Sequence, residues 1–466
     1  MQNRKVVLKD RLSEISDHAH WQTGIVLGLL LILLFSFYHY VYGITPKDPQ
    51  SKENRLYQHD VYDTYTKQAL AWHRGEAKLD KDYPYLELAK YPNENGVEEY
   101  YVSFPMVPSV VMYFFTFGGN ENTPNNLITV LYQLGAFAFA FLLCRRFRCS
   151  LSMSFVGAAL VCLSSSAFFL SMAGSVWFQA QLFSLFLTMA AFFSLFASGP
   201  HKKTEWHISL FLLALAVGCR PMQVFYFPFF LYIILRENKY QIKKMWSYLI
   251  APGAVACVYM WYNYIRFGNI LEFGRSYLPE FTRNQEPQFS FDYIKNNIAQ
   301  IITKKPEMPL DQWIKDNPFG FCFYIANCIF IVLLIACIVK LISSTSAYAL
   351  KKGHLPQSRF FAALSDSEKT ALQTDPQTAL SRYHSNGIDL AILLITICIH
   401  FFVFLMFRTV GAWQFGARYS VDIIPAVLAC ILMLDTKLLR RPNLPVIMIC
   451  TAGMLFNIYG GILLYL

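Results

Sequence analysis

Apolar residues recur in runs of about twenty along this chain, and that spacing limits what it can fold into. The runs lie near 22–43, 125–144, 151–171, 177–197, 206–219, 222–235, 246–264, 319–342, 387–407, 420–435 and 444–465. At a rise of ~1.5 Å per residue, a helix of about twenty residues matches a hydrocarbon layer of ~30 Å. Lipid offers no partner to a backbone N–H or C=O, so only helices and closed barrels can cross it. A barrel would show short segments of alternating polarity, and there are none. Charged residues make up 15% of the 466 positions and hydrophobic ones 55%, whereas soluble domains carry about a quarter charged. The expectation is an all-α polytopic membrane protein with about eleven transmembrane helices.

Orientation follows from the basic loops. The first run comes after Arg4, Lys5, Lys9 and Arg11 and ends without a small-x-small cleavage site, which predicts an uncleaved first span. The apolar segment 104–117 is too short to cross, since fourteen residues reach only ~21 Å of the ~30 Å core. If it does not cross, Arg145/Arg146/Arg148, Lys202/Lys203, Arg236 to Lys244, the 343–386 loop and Lys437/Arg440/Arg441 all share the side of the N-terminus. If it does cross, every one of them inverts against the positive-inside rule. The N-terminus is therefore expected in the cytoplasm and the C-terminus outside. The net charge of +10 then reports topology, not nucleic-acid binding. A module over 1–435 carries outer loops 44–124 and 265–318, a short outward segment 408–419 and a cytoplasmic loop 343–386. Residues 436–466 supply the final loop and span. The cysteines lie in or beside apolar runs and read as packing residues, with no disulfide framework or metal spacing.

The first outer loop holds the candidate chemistry. Val61, Tyr65, Ala69 and Trp72 recur at helical steps and predict an amphipathic helix closed by Gly75. Asp60, Asp63, Lys67 and Arg74 fall on another face, so both carboxylates are expected to point one way from one turn. An interfacial helix would hold them where a lipid phosphate head lies. A structural account stands beside this one: Asp60 as helix N-cap, Asp63 complementing the first turn, and an Asp63–Lys67 pair.

HDVYD (59–63), Tyr65, Ala69, Gly75 and Leu79, then YYVSFPMVPSVVMYFFTFGG (100–119), resemble the first outer loop of the GT-C superfamily of integral-membrane glycosyltransferases. The similarity is to the family 39 type, which includes protein O-mannosyltransferases and aminoarabinose transferases. WYNYIRFGNILEFGRSYL (261–278) and GAWQFGARYSVDIIP (411–425) look like further elements of that group. The resemblance covers most of 22–435 through short motifs in a common order. It departs at the family's Asp-Glu pair, replaced here by HDVYD, so either Asp60 or Asp63 can correspond to the base.

The resemblance implies a GT-C-type fold with juxtamembrane helices and transfer of a sugar from a polyprenyl-phosphate carrier. The acceptor would be an extracytoplasmic hydroxyl on a glycan, glycolipid or protein. Asp60 or Asp63 would take the acceptor proton, with inversion at the anomeric carbon. Arg220, Arg266, Arg275 and Arg418 are candidates for the departing phosphate, which a guanidinium pairs through a planar fork. Tyr65, Lys67 and Gln414 complete the expected substrate contacts, and Tyr62 and Trp413 are candidate stacking surfaces. No phosphate-cradling glycine loop points to a nucleotide donor, and no cofactor or metal is indicated. A transporter or flippase of a lipid-linked glycan is the alternative, and it predicts polar sites near the midplane.

Overall fold

The computed structural model describes residues 2–45, 53–93, 95–197, 201–282, 287–351, 376–434 and 438–466. Helix α1 spans Gln2–Ile44, α2 Thr64–His73, α3 Val107–Tyr113, α4 Asn125–Arg146, α5 Leu151–Cys162, α6 Ala167–Leu170 and α7 Val176–Leu195. They are followed by α8 (Lys202–Val217), α9 (Phe227–Glu237), α10 (Met245–Phe267), α11 (Ile329–Lys351), α12 (Pro376–Met406), α13 (Ile424–Met433) and α14 (Leu444–Leu463). Short helical turns lie at Arg275–Tyr277, Pro279–Thr282, Tyr293–Ile298, Ala299–Thr303, Leu310–Lys315 and Phe323–Ala326.

Among the described residues, five helices are long and apolar enough to cross a membrane: Trp21–Ile44 of α1, α4, α7, Gly387–Met406 of α12, and α14. The eleven runs of the sequence therefore do not become eleven uninterrupted apolar helices. Polar residues inside apolar runs account for part of the difference. The run 151–171 breaks at Ser164–Ser166, where the Ser165 hydroxyl bonds back to a carbonyl one turn earlier. Chain from elsewhere fills that break, with Asn327 Oδ1 accepting from the Ser166 N–H at 2.9 Å and the Ser164 carbonyl from the Cys328 N–H at 3.2 Å. The run 206–219 ends at Arg220–Pro221, because proline cannot continue the hydrogen-bond ladder, and a 3-10 segment Pro221–Tyr226 leads into α9. Of the predicted loop 343–386, residues 352–375 lie outside the described residues.

The segment 104–117 becomes α3, whose seven residues span only ~10 Å, followed by a turn at Phe117–Gly119. An element not expected from the sequence precedes it. Strands β1 (Leu88–Pro92) and β2 (Glu98–Val102) form an antiparallel hairpin pairing Leu88 with Val102 and Pro92 with Glu98.

Hydrogen bonds tie the connecting segments of one end of the bundle together. The Val176 N–H donates to the Tyr62 carbonyl at 2.8 Å, Val107 to Gly218 at 3.0 Å and Phe321 to Gly416 at 3.3 Å. This hairpin-bearing end also holds the segments 218–226 and 407–423. At the opposite end the Ser150 N–H donates to the Arg440 carbonyl at 3.1 Å, and Arg236 pairs with Asp389. The core between the ends is apolar and aromatic, with α4 and α7 in contact through Tyr132 stacked on Phe183 at 4.3 Å.

Candidate functional site

Helix α2 begins one residue after Asp63, and Asp63 is its N-cap. Its Oδ1 accepts from the backbone N–H groups of Tyr65 (3.0 Å) and Thr66 (3.4 Å). Its Oδ2 accepts from the Thr66 hydroxyl at 2.7 Å and from Asn125 Nδ2 at 3.0 Å. These bonds supply partners to N–H groups that a helix start leaves without one. Burial pushes the Asp63 carboxyl above the ordinary carboxylate range, against the opposing pull of Thr66, His59, Asn125 and Gln179.

Asp60 lies outside the helix, so the expected shared helix face for the two carboxylates does not exist. Asn125, the first residue of α4, joins them instead. It accepts from the Asp60 N–H at 2.8 Å and donates to the Asp60 carbonyl at 2.9 Å as well as to Asp63. The Asp60 carboxylate accepts from the Tyr62 N–H at 3.1 Å, and both aspartates are buried.

The rest of the α2 expectation is mixed. Tyr65 and Ala69 are buried, whereas Val61 is exposed and precedes the helix. Gly75 follows the Arg74 C-cap at φ +76°, a left-handed conformation that glycine takes without penalty. Lys67 does not pair with Asp63. It reaches Glu121 at 2.7 Å instead, because the cap orients Asp63 back into the first turn.

Of the four arginines, Arg266 is a brace. Its Nη1 donates to the Val102 carbonyl at 2.8 Å and its Nη2 to Asn263 Oδ1 at 2.9 Å, fixing the end of α10 against β2. Gln414 is another brace, donating to the carbonyls of Phe319 (2.9 Å) and Val410 (3.0 Å) and accepting from the Arg418 N–H at 2.9 Å. Both were expected to contact substrate, and these bonds engage them with their own protein segments.

The other three arginines converge on Tyr419. Arg220 lies over its ring at 4.9 Å and Arg418 at 5.1 Å. Arg275 stacks on Phe407 at 5.0 Å, and Phe407 packs edge-on to Tyr419 at 6.0 Å. Burial alone would raise the Tyr419 phenol. The charges of Arg418, Arg275 and Arg220 outweigh it and hold the phenol below its ordinary value, with Glu87 opposing them. Arg220 donates through Nε (3.0 Å) and Nη2 (2.8 Å) to Asp422 Oδ2, while Gln181 Nε2 reaches Asp422 Oδ1 at 3.3 Å.

A seam of buried polar atoms without hydrogen-bond partners runs through this region. It includes the Nε atoms of Arg418 and Arg275, the hydroxyls of Tyr65 and Tyr132, and the Oε1 atoms of Gln179 and Gln181. Buried polar groups in folded proteins are nearly always paired, with water where not with protein, so these atoms are open to water or to a polar ligand. The seam links the two clusters. Tyr65 follows Asp63 by two residues, and its phenol feels both Asp63 and Arg220, while Arg220 reaches on to Tyr419.

Sequence reading picked out Asp63, Tyr65 and the arginines but missed Asn125, Tyr132, Gln179 and Gln181 as a set. The Asn125–Asn126 pair at the head of an apolar run was the available signal. Among the described residues no group of three or more His, Cys, Asp or Glu side chains is placed to hold a metal ion. No family model, curated protein or solved structure matches this chain. The reading of the site rests on its own chemistry.

Proposed function

We propose that this chain is a glycosyltransferase of the GT-C type, moving a sugar from a polyprenyl-phosphate carrier to an extracytoplasmic acceptor hydroxyl. The observation that carries the reading is the convergence of Arg220, Arg275 and Arg418 on Tyr419, with two guanidinium Nε atoms left without partners. Such a cluster suits a phosphate more than a carboxylate side chain, because it offers several forked donors to one multiply charged group. Its place at an end of apolar helices suits a phosphate attached to a lipid tail. In this proposal all eleven apolar runs cross, the N-terminus is cytoplasmic and the hairpin-bearing end faces outward.

Bond breaking between the anomeric carbon and the phosphate oxygen sends the electron pair to the leaving phosphate. The arginines stabilise that growing charge in a water-poor setting. The acceptor oxygen attacks the opposite face of the anomeric carbon and passes its proton to a carboxylate, which gives inversion. Asp60 is assigned as that base, since both Asp63 oxygens are engaged in holding the start of α2 and Asn125 in place. Tyr65 lines the seam between the base and the phosphate.

The test is sugar transfer in proteoliposomes supplied with polyprenyl-phosphate sugars and an envelope-glycan acceptor. Asp60→Asn should lose transfer while still binding the carrier, and Asp63→Asn should retain it. Full transfer by Asp60→Asn removes Asp60 from the mechanism.

A lipid-linked-glycan transporter is the second reading, and one observation favours it. His400 is buried within α12, and both of its ring nitrogens lack a hydrogen-bond partner. Ionisable groups inside membrane helices often mark a transport path. If so, fluorescently tagged lipid-linked glycan should cross the bilayer of proteoliposomes in wild type and not in His400→Ala. Equal crossing rates would discard that reading.

A further inference from the structure

The geometry points to Glu87, at the foot of the hairpin, as the residue that recognises the sugar of the donor by accepting hydrogen bonds from its ring hydroxyls. This rests on the reading of the Tyr419 cluster as a phosphate site and adds a second contact to it. Side chains on a strand alternate between two faces, and in β1 the faces are unequal. Ala89 and Tyr91 face the segment 267–277, with Tyr91 against Tyr277 at 4.7 Å and against Phe267 at 5.7 Å. The Ala89 Cβ lies 3.4 Å from the position a Cβ on Gly274 would take. The Ser103 hydroxyl donates to the Glu87 carbonyl at 2.9 Å, holding the two chains side by side just beyond the Leu88–Val102 pair.

Glu87 directly precedes β1, two residues before Ala89, and the alternation that sets Ala89 and Tyr91 against 267–277 assigns it to the side of the turn that carries Arg275. Among the described residues no hydrogen bond or ion pair ends on its carboxylate, and Glu87 is half-buried. Its charge acts on Tyr419 in opposition to the three arginines.

A glycosyl phosphate explains both signs of charge in one place. The sugar is bonded directly to the phosphate, so a group bordering the phosphate on the side away from the membrane meets the sugar ring. A carboxylate there would repel the phosphate unless it gained hydrogen bonds from hydroxyl donors, and neighbouring hydroxyls of a sugar supply two such donors to one carboxylate. Arginines select the leaving group, and Glu87 selects what is attached to it.

The experiment measures binding to the full-length protein in nanodiscs. The probes are bare polyprenyl phosphate and a panel of polyprenyl-phosphate hexoses and pentoses. In wild type at least one sugar-bearing probe should bind tighter than the bare carrier. Glu87→Gln should remove about tenfold of that preference, the worth of a hydrogen bond to a charged group, because the sugar-bearing probe loses its hydroxyl acceptor while the bare carrier binds no weaker once the carboxylate charge is gone. Glu87→Asp should recover part of it.

Equal preference in wild type and Glu87→Gln overturns the assignment while leaving the phosphate site standing, and so does a wild type that prefers no sugar. A wild type that does not bind the bare carrier, or binds it no more weakly after Arg418→Gln, overturns the phosphate site and the role of Glu87 together.

Discussion

Asp63 and Arg418 are buried side chains with opposite problems. Asp63 has four hydrogen-bond donors around its carboxylate, and Arg418 has an Nε with no acceptor. Replacing Asp63 by Ala removes the α2 cap and should cost about 1 kcal/mol, whereas Asn caps nearly as well. Thermal unfolding in detergent should rank wild type close to Asp63→Asn and above Asp63→Ala. Since burial raises the Asp63 carboxyl, the folded protein keeps that proton to higher pH than the unfolded chain. The stability it contributes is fully present below about pH 4, the ordinary carboxylate value, and declines as pH rises through the raised one. Melting temperature measured relative to Asp63→Asn, which does not titrate, should fall with rising pH across that window. A difference that stays flat or grows contradicts the burial argument. At Arg418 the expectation concerns affinity. Arg418→Gln should weaken binding of bare polyprenyl phosphate by about tenfold or more, on the scale of one charge-assisted hydrogen bond, and a Kd equal to wild type would take Arg418 out of the site.

Helices α2 and α3 behave as a locked pair. His73 stacks on Tyr113 at 4.0 Å, and the Ser109 hydroxyl bonds Gln68, which in turn donates to the Tyr262 hydroxyl at 2.7 Å. Gly218 is the wedge beneath them. Its carbonyl accepts from the Val107 N–H at 3.0 Å, and a Cβ there would collide with Tyr259 and Val107. Gly218→Ala should destabilise the protein by about 1–3 kcal/mol, the usual range for overpacking. An unchanged melting temperature would mean that the wedge yields freely. This pair was legible in the sequence because fourteen apolar residues opened by prolines cannot span a bilayer. The N-cap was legible as a motif but was put three residues early: HDVYD offers two aspartates, and only tertiary contacts with Asn125 decide between them. The hairpin was not legible. LAKYP and EEYYV mix charge with tyrosine, and their pairing depends on packing against 267–277, far away in sequence.

At the scale of the molecule, membrane character was visible in composition, while continuity of the helices was not. A hydropathic run does not register that Ser164–Ser166 bend away from helical geometry, or that Asn327 enters to complete their bonding. The arginines were legible as candidates, but their meeting at Tyr419 was not, since Arg220, Arg275 and Arg418 come from three distant turns. Sidedness can be measured directly. Asn120 is exposed beyond α3, so Asn120→Cys, with the exposed Cys257 and Cys398 replaced by serine, should react with an impermeant maleimide from outside intact cells. Labelling only after permeabilisation would put the hairpin-bearing end in the cytoplasm. Asn125 has one further consequence. It grips both aspartate segments and is also the first residue of a rigid rod of 22 residues, ~33 Å long. Helices meet a change in bilayer thickness by tilting, and a tilt of this rod moves its tip. The segments of Asp60 and Asp63 are thereby fastened to the tip of that rod, so if its tilt follows the bilayer, sugar transfer by the proposed enzyme should change with acyl-chain length in the proteoliposomes.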